Sequence, residues 1–214
     1  MSLVNRALPL LGQAVAVTLL LGLSSFAIGS VLGLVGALAR MSPKRPLRYL
    51  AVAYVSIVRG TPLLVQILLI YFGLPQLGIV VEPIPSAIAA LSLNAGAYLT
   101  EDFRAGVLAI ERGQREAAHT LSMTYPQALR RVILPQAVRV ALPPVGNRLV
   151  ALMKDTSLAS IITVVELTRV ANAVGSATFR YVEMFVIVAA VYWLINALLS
   201  AGQEGLERRL ARPY

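Results

Sequence analysis

The stretch LLGQAVAVTLLLGLSSFAIGSVLGLVGAL, from Leu10 to Leu38, decides the architecture. It lies inside a longer run, Ala7 to Ala39, that holds no ionisable residue. A helix crossing the hydrocarbon core needs about 20 apolar residues, so this run crosses once with room for tilt. It is too long for the apolar region of a secretory signal, and Met1–Arg6 before it is barely basic, so it reads as a retained first helix. The composition agrees: of 214 residues 57% are hydrophobic and 14% charged, with a mean hydropathy of +0.75. A soluble domain is nearer 45–50% apolar and about 25% charged, and the excess cannot be hidden in one water-soluble core of this size. Disorder and coiled coil need many charges and are excluded, as is a disulfide scaffold, because there is no Cys.

Working outward, four more apolar blocks follow. Tyr49–Gly78 is interrupted at Arg59-Gly60-Thr61-Pro62, Pro85–Thr100 is short, Val138–Met153 holds Pro143, Pro144 and Arg148, and Met184–Ala201 is clean. The expectation is an all-α membrane protein with about five spanning helices, residues 1–214 forming one domain, without a long repeat or flexible linker. A net charge of +9 would ordinarily suggest nucleic acid, but the distribution of the charges argues for topology. Thirteen basic residues fall on one side: Arg40, Lys44, Arg45, Arg48, Arg104, Arg112, Arg115, Arg130, Arg131, Arg139, Arg208, Arg209 and Arg212. Three fall on the other: Arg6, Arg169 and Arg180. The positive-inside rule then puts the amino terminus outside and the carboxyl terminus in the cytoplasm.

The longest connection on the basic side runs from about 104 to 139. Glu116-Ala-Ala-His-Thr-Leu121 favours helix, with Gly113 as a break before it. Thr124-Tyr-Pro-Gln127 reads as a helix start: Thr124 caps, Gln127 sits three residues on, and Pro126 is tolerated in a first turn. Leu134-Pro135 is expected to end or kink that second piece. Ala117 and Ala118 carry almost no side chain, which permits close approach by another protein.

Glu116-Ala117-Ala118, Ser122 and Val132-Ile-Leu134-Pro135 resemble the Glu-Ala-Ala loop of permease subunits in ATP-binding-cassette importers. That pattern is Glu-Ala-Ala, three residues, Gly, nine residues, Ile, one residue, Leu-Pro. The spacing is kept; Ser122 stands for the Gly and Val132 for the Ile. Ser matters there only if the position needs positive φ, where a side chain costs roughly 1 kcal/mol. Arg59-Gly-Thr-Pro-Leu-Leu-Val-Gln66, Ala97-Tyr-Leu-Thr-Glu101, Ile110-Glu-Arg-Gly-Gln114 and Asn147 to Leu158 are similar to the polar amino-acid uptake branch, the histidine/glutamine/arginine-type permeases. The resemblance covers about Tyr54 to Glu166. It implies a type I importer permease fold in a bacterial inner membrane, and a path shared with a second permease subunit, identical or homologous. It implies two ATP-binding subunits docked at Gly113, Gln114, Glu116, Ala117, Ala118, Leu121 and Ser122, and an extracytoplasmic amino-acid-binding protein. ATP and magnesium would be bound by the partners, with no cofactor in this chain. The sequence has no Gly-x-x-x-x-Gly-Lys-Ser/Thr phosphate loop, so it reads as a transport subunit, not an enzyme.

Ionisable residues at membrane depth are costly and usually face a pathway or a partner. Arg59, Gly60, Thr61 and Pro62 are therefore candidates for the substrate path, since broken helices at the midplane commonly form transporter sites. The alternative is a structural kink with Arg59 paired to a carboxylate. Pairing of Glu101 with Arg59 or Arg148 is expected; the same charges could instead recognise an amino acid. Gln66, Asn94 and Thr100 are uncharged candidates. Lys154 and Asp155, placed near the outer end of the fourth helix, could bind substrate, pair across a dimer or form a gate. His119 stands alone, without the neighbours a metal site needs. Gly29-x-x-x-Gly33 permits close helix approach, although chance would also supply it. Two rival functions remain at this point: a secondary transporter or channel using the buried charges for ion coupling, and a membrane anchor. The ordered loop has no task in the first, and the second leaves the buried charges unexplained.

Overall fold

The computed structural model describes residues 3–210; Met1 and Arg212, on which part of the topology argument leans, lie outside them. Every regular element among the described residues is helical. The first, α1, runs Leu3–Met41, and α2 is Arg45–Gly60. Helix α3, Leu63–Leu68, continues through a π turn, Leu69–Gly73, and a 3-10 turn, Leu74–Leu77. Then come α4, Pro83–Leu108, and α5, Arg112–Thr120. Next are α6, Tyr125–Ala128, a π turn, Leu129–Ile133, and α7, Leu134–Asp155, extended by a 3-10 turn, Thr156–Ile162. The chain closes with α8, Leu167–Thr178, and α9, Tyr181–Leu210.

The first and fifth apolar blocks fall inside α1 and α9, and both helices are long and apolar enough to cross a membrane. The second block is two arms: α2 and the α3 segment diverge by 107°. The residue before a proline is pushed out of the helical region, and Thr61 (φ −118°, ψ 146°) and Pro62 (φ −62°, ψ 135°) are both extended. The fourth block is longer than Val138–Met153, because helix continues from Tyr125 to Ile162. The helix therefore does not end at Leu134-Pro135, which corrects the first of the two expected outcomes there. The ring of Pro135 would strike the carbonyl of Arg131, four residues back; that residue lies in the π turn, whose wider ring relieves the conflict.

Helix α4 is the centre of the bundle, and its closest neighbour is α1. Glycines make the approach possible. A Cβ on Gly33 would lie 2.6 Å from Leu99 Cβ and 3.1 Å from its carbonyl carbon. One on Gly29 would lie 2.9 Å from Ala95 Cβ, and one on Gly96 2.9 Å from Leu32 Cβ. The Gly29-x-x-x-Gly33 spacing is thus a seam, not a chance of composition. Leu21, Ile67, Leu91, Leu99, Leu152 and Ile162 pack in the core around α4. A second core joins Leu11 and Ala14 of α1 to Leu167, Val170, Met184 and Val188. Glu166, fully buried beside it, caps α8 by accepting the N–H groups of Thr168 (2.9 Å) and Arg169 (2.7 Å), and accepts the Tyr192 hydroxyl at 2.8 Å. A small third cluster, Ile110, Ile133 and Ala137, holds the α5–α6 loop against the bundle.

Candidate functional site

The break between α2 and α3 is closed by a chain of polar groups. Pro62 has no N–H for the carbonyl of Val58, four residues back. Gln66 supplies one instead: its Nε2 donates to Val58 O at 2.7 Å, and also to Thr61 O at 3.1 Å and Thr61 Oγ1 at 2.9 Å. The Thr61 hydroxyl donates to Ile57 O at 2.9 Å. Gln66 Oε1 accepts from Asn94 Nδ2 at 3.2 Å, and Asn94 Oδ1 accepts from Arg148 Nη2 at 2.5 Å. Arg148 also approaches Asp155 at 3.8 Å. The chain runs from the helix break, across the mid-point of α4, to α7.

Tyr98 binds this chain to Arg59. The guanidinium carbons of Arg59 and Arg148 lie 4.9 and 4.2 Å from the centroid of its ring, within reach of a cation–π attraction. Asp102 lies one turn further along α4 on the same face as Tyr98. Arg148 Nε is buried and has no hydrogen-bond partner among the described residues. Arg59, Gly60, Thr61 and Pro62 are exposed, and a Cβ on Gly60 would meet open space. The result is an exposed break, Arg59 to Pro62, backed by the half-buried Gln66, Tyr98, Asp102 and Arg148 and the buried Asn94, a set that can meet both ends of a zwitterion.

Two expected site residues stand elsewhere. Glu101 pairs with Arg40 (Nε to Oε1, 3.1 Å) and Arg104 (Nη2 to Oε2, 2.7 Å), and not with Arg59 or Arg148. Successive helical residues lie about 100° apart, so Glu101 is turned from the Tyr98–Asp102 face toward the end of α1. Thr100 is fully buried and donates to Gly96 O at 2.8 Å. Lys154 is exposed, and Asp155 is the last residue of α7, followed by the 3-10 turn Thr156–Ile162.

In the loop, α5 carries Gly113, Gln114, Glu116 and Ala117 exposed. Gln136 Nε2 donates to Gln114 Oε1 at 3.3 Å and ties α5 to α7. Ala118 is only 2% exposed. Of the two alanines expected to permit close approach by another protein, Ala118 is turned into the chain, and Ala117 is the open member of the pair. Leu121 is 70% exposed. Ser122 has φ 56°, so the position does need the left-handed conformation for which glycine is suited. Its N–H donates to His119 O at 2.9 Å and the Met123 N–H to Ala118 O at 3.1 Å, the paired bonds of a Schellman ending. Sequence reasoning missed Tyr98 and Asp102 as site residues. The signal was present: Asn94, Tyr98 and Asp102 recur every four residues on one helix face.

Residues 29–212 match the family described as binding-protein-dependent transport system inner membrane component. The chain is 47% identical over 205 residues to the L-cystine transport system permease protein TcyB of Bacillus subtilis (strain 168), spanning 95% of this chain and 88% of that one. It is 37% identical over 206 residues to the glutamine transport system permease protein GlnP of Escherichia coli (strain K12), spanning 95% and 94%. A chain from the crystal structure of an amino acid ABC transporter with histidines matches with a TM-score of 0.92 at 40% identity, covering 96% of each. A chain from an inward-facing structure of the MetNI methionine ABC transporter matches with a TM-score of 0.82 at 23% identity, covering 99% of this chain and 100% of that one, a likeness of fold.

Proposed function

We propose a role for a chain that belongs to the inner-membrane components of binding-protein-dependent transport systems and has the all-α permease fold of type I ATP-binding-cassette importers. Its cargo is an amino acid, the class named for its relatives. The chain forms the path with a second permease subunit, identical or homologous, and works by alternating access. Two cytoplasmic ATP-binding subunits hold ATP and magnesium, and this chain hydrolyses nothing. They dock on Gly113 to Ser122, with Ala117 and Leu121 as the open surface. An extracytoplasmic binding protein delivers the cargo. The amino terminus is outside, the carboxyl terminus cytoplasmic, and the chain, crossing about five times, acts as one domain.

The observation that carries this reading is the polar chain from Thr61 through Gln66 and Asn94 to Arg148. An Arg at the bilayer centre costs about 2.5–3.5 kcal/mol on insertion scales, and irregular backbone at that depth is tolerated only against protein or a water-filled cavity. Arg59 to Pro62 therefore border the path. Arg59 and Arg148, held against the Tyr98 ring, meet the cargo's carboxylate, and Asp102 its ammonium; Lys154 and Asp155 lie further along the same route. Thr61→Val keeps the shape and removes the hydroxyl. The expected result is a several-fold higher half-saturating concentration of loaded binding protein in ATPase stimulation, at unchanged complex yield. Wild-type uptake in that variant, with Arg59 facing away from the central cavity of the assembled transporter, would take this segment out of the path.

A further inference from the structure

Two cavities of opposite character meet at Val107, which lines both. The first, of about 550 Å³, lies on the coupling-loop side and is lined by Arg40, Arg104, His119 and Met123. The second, of about 430 Å³, runs along the flank of the bundle past Leu34, Leu134, Val138, Ala141 and Val145. Its lining is apolar but for Ser30, whose hydroxyl donates to Phe26 O at 2.7 Å. Ile133, in the first cavity, and Leu134, in the second, are consecutive, and Val107 borders both, so the two adjoin.

The charge at the first end is cationic. Arg40 and Arg104 share the single carboxylate of Glu101, leaving the trio one positive charge in excess, and both side chains remain accessible, at 21% and 30%. Arg130 and Arg131, both exposed, sit on the turn just before Leu134. The length of the apolar end fits one leaflet: Leu134 to Val145 rises about 16 Å at 1.5 Å per residue, half of a hydrocarbon core about 30 Å thick. A soluble anion would fill the first cavity and leave the slot empty. A zwitterionic lipid would not balance the charge.

We infer that the adjoining cavities seat one anionic phospholipid of the leaflet on the coupling-loop side, its phosphate at Arg40 and Arg104 and one acyl chain in the Leu134–Val145 slot. Because His119 and Met123 line the phosphate end, the seated lipid supports the coupling loop from the membrane side.

The test uses the permease assembled with its ATP-binding subunits, in nanodiscs of equal parts phosphatidylcholine and phosphatidylglycerol, released into native mass spectrometry. Wild-type complex should retain phosphatidylglycerol in preference to phosphatidylcholine. Arg104→Gln should lower that preference about fivefold, the equivalent of about 1 kcal/mol for one basic residue near an anionic leaflet. Val138→Trp, at a position 53% exposed in the isolated chain, should fill the slot and lower retention of both lipids without lowering complex yield. A photo-crosslinker at Val138 should capture lipid. Equal retention of the two lipids by wild type, unchanged retention in Val138→Trp, or a crosslink from Val138 to a second permease chain would each overturn the assignment.

Discussion

Helices α4 and α9 are both of spanning length, and they are built from opposite materials. The most apolar 18-residue window of Tyr181–Leu210 has a mean hydropathy of 2.1, and only 11% of that window is buried. Pro83–Leu108 is not among the helices apolar enough to be recognised as spans, yet it buries Ala87, Ala90, Leu91, Ala95, Ala97 and Leu99 together with Ser86, Ser92, Asn94 and Thr100. In lipid no hydrophobic force drives one helix against another. Close packing of small residues and hydrogen bonds between helices supply the attraction. High hydropathy therefore marks what a helix presents outward, and modest hydropathy with small residues marks the centre.

That contrast can be broken at the seam first. Gly33→Leu would drive a side chain into the backbone of α4 at Leu99, where even a Cβ is too close. Overpacking of this kind, with backbone as the obstacle, should cost about 3 kcal/mol or more, and detergent-solubilised complex should be lost or unfold well below wild type. Normal yield and unfolding temperature would mean that α1 and α4 do not pack as described. Next in size, Asn94→Leu makes α4 more apolar and strands Arg148 Nη2 and Gln66 Oε1. Losing a hydrogen bond to a charged group should cost about 1.5–3 kcal/mol, and transport should fall at least tenfold; a stabilised, active Asn94→Leu would show that hydropathy alone governs the centre. The same substitution in both helices then sharpens the comparison. Ala90→Leu, at a position with no exposure, should lose about 1–3 kcal/mol, read as a drop in unfolding temperature. Ala189→Leu, exposed on α9, should stay within about 0.5 kcal/mol. Equal losses at the two positions would place α9 in a packed interface instead of on an open face.

The outer helices were the easiest part to read from sequence, because α1 and α9 meet the solvent that hydropathy measures. The helix break was also legible: Pro62 must free the Val58 carbonyl, although nothing in the sequence says that Gln66 takes it. The left-handed φ at Ser122 was legible as a condition, since the family pattern has Gly there and only a positive φ would make the difference count. The partner of Glu101 was not legible. Pairing by depth suggested Arg59 or Arg148, but the choice depends on how α4 is rotated and on the reach of Arg40 from the end of α1. Ala118 failed for a similar reason: composition shows that it is small, and only packing shows which of two adjacent alanines faces in. The union of Arg59, Tyr98 and Arg148 likewise brings together α2, α4 and α7, three segments whose contact no local pattern announces.

The wide turn at Leu129–Ile133 has a bearing on how chain length can change. A π turn closes its hydrogen bonds at i→i+5 where an α turn closes them at i→i+4, so it holds one residue more than the helix on either side. Deleting a single residue there returns a regular helix and leaves α7 in its present rotation. Deleting one from α7 ahead of Arg148 instead turns everything beyond it by about 100° and draws it back about 1.5 Å, away from Asn94. A single-residue loss is thus absorbed beside the loop, while the bearing of the polar chain at mid-bundle is kept.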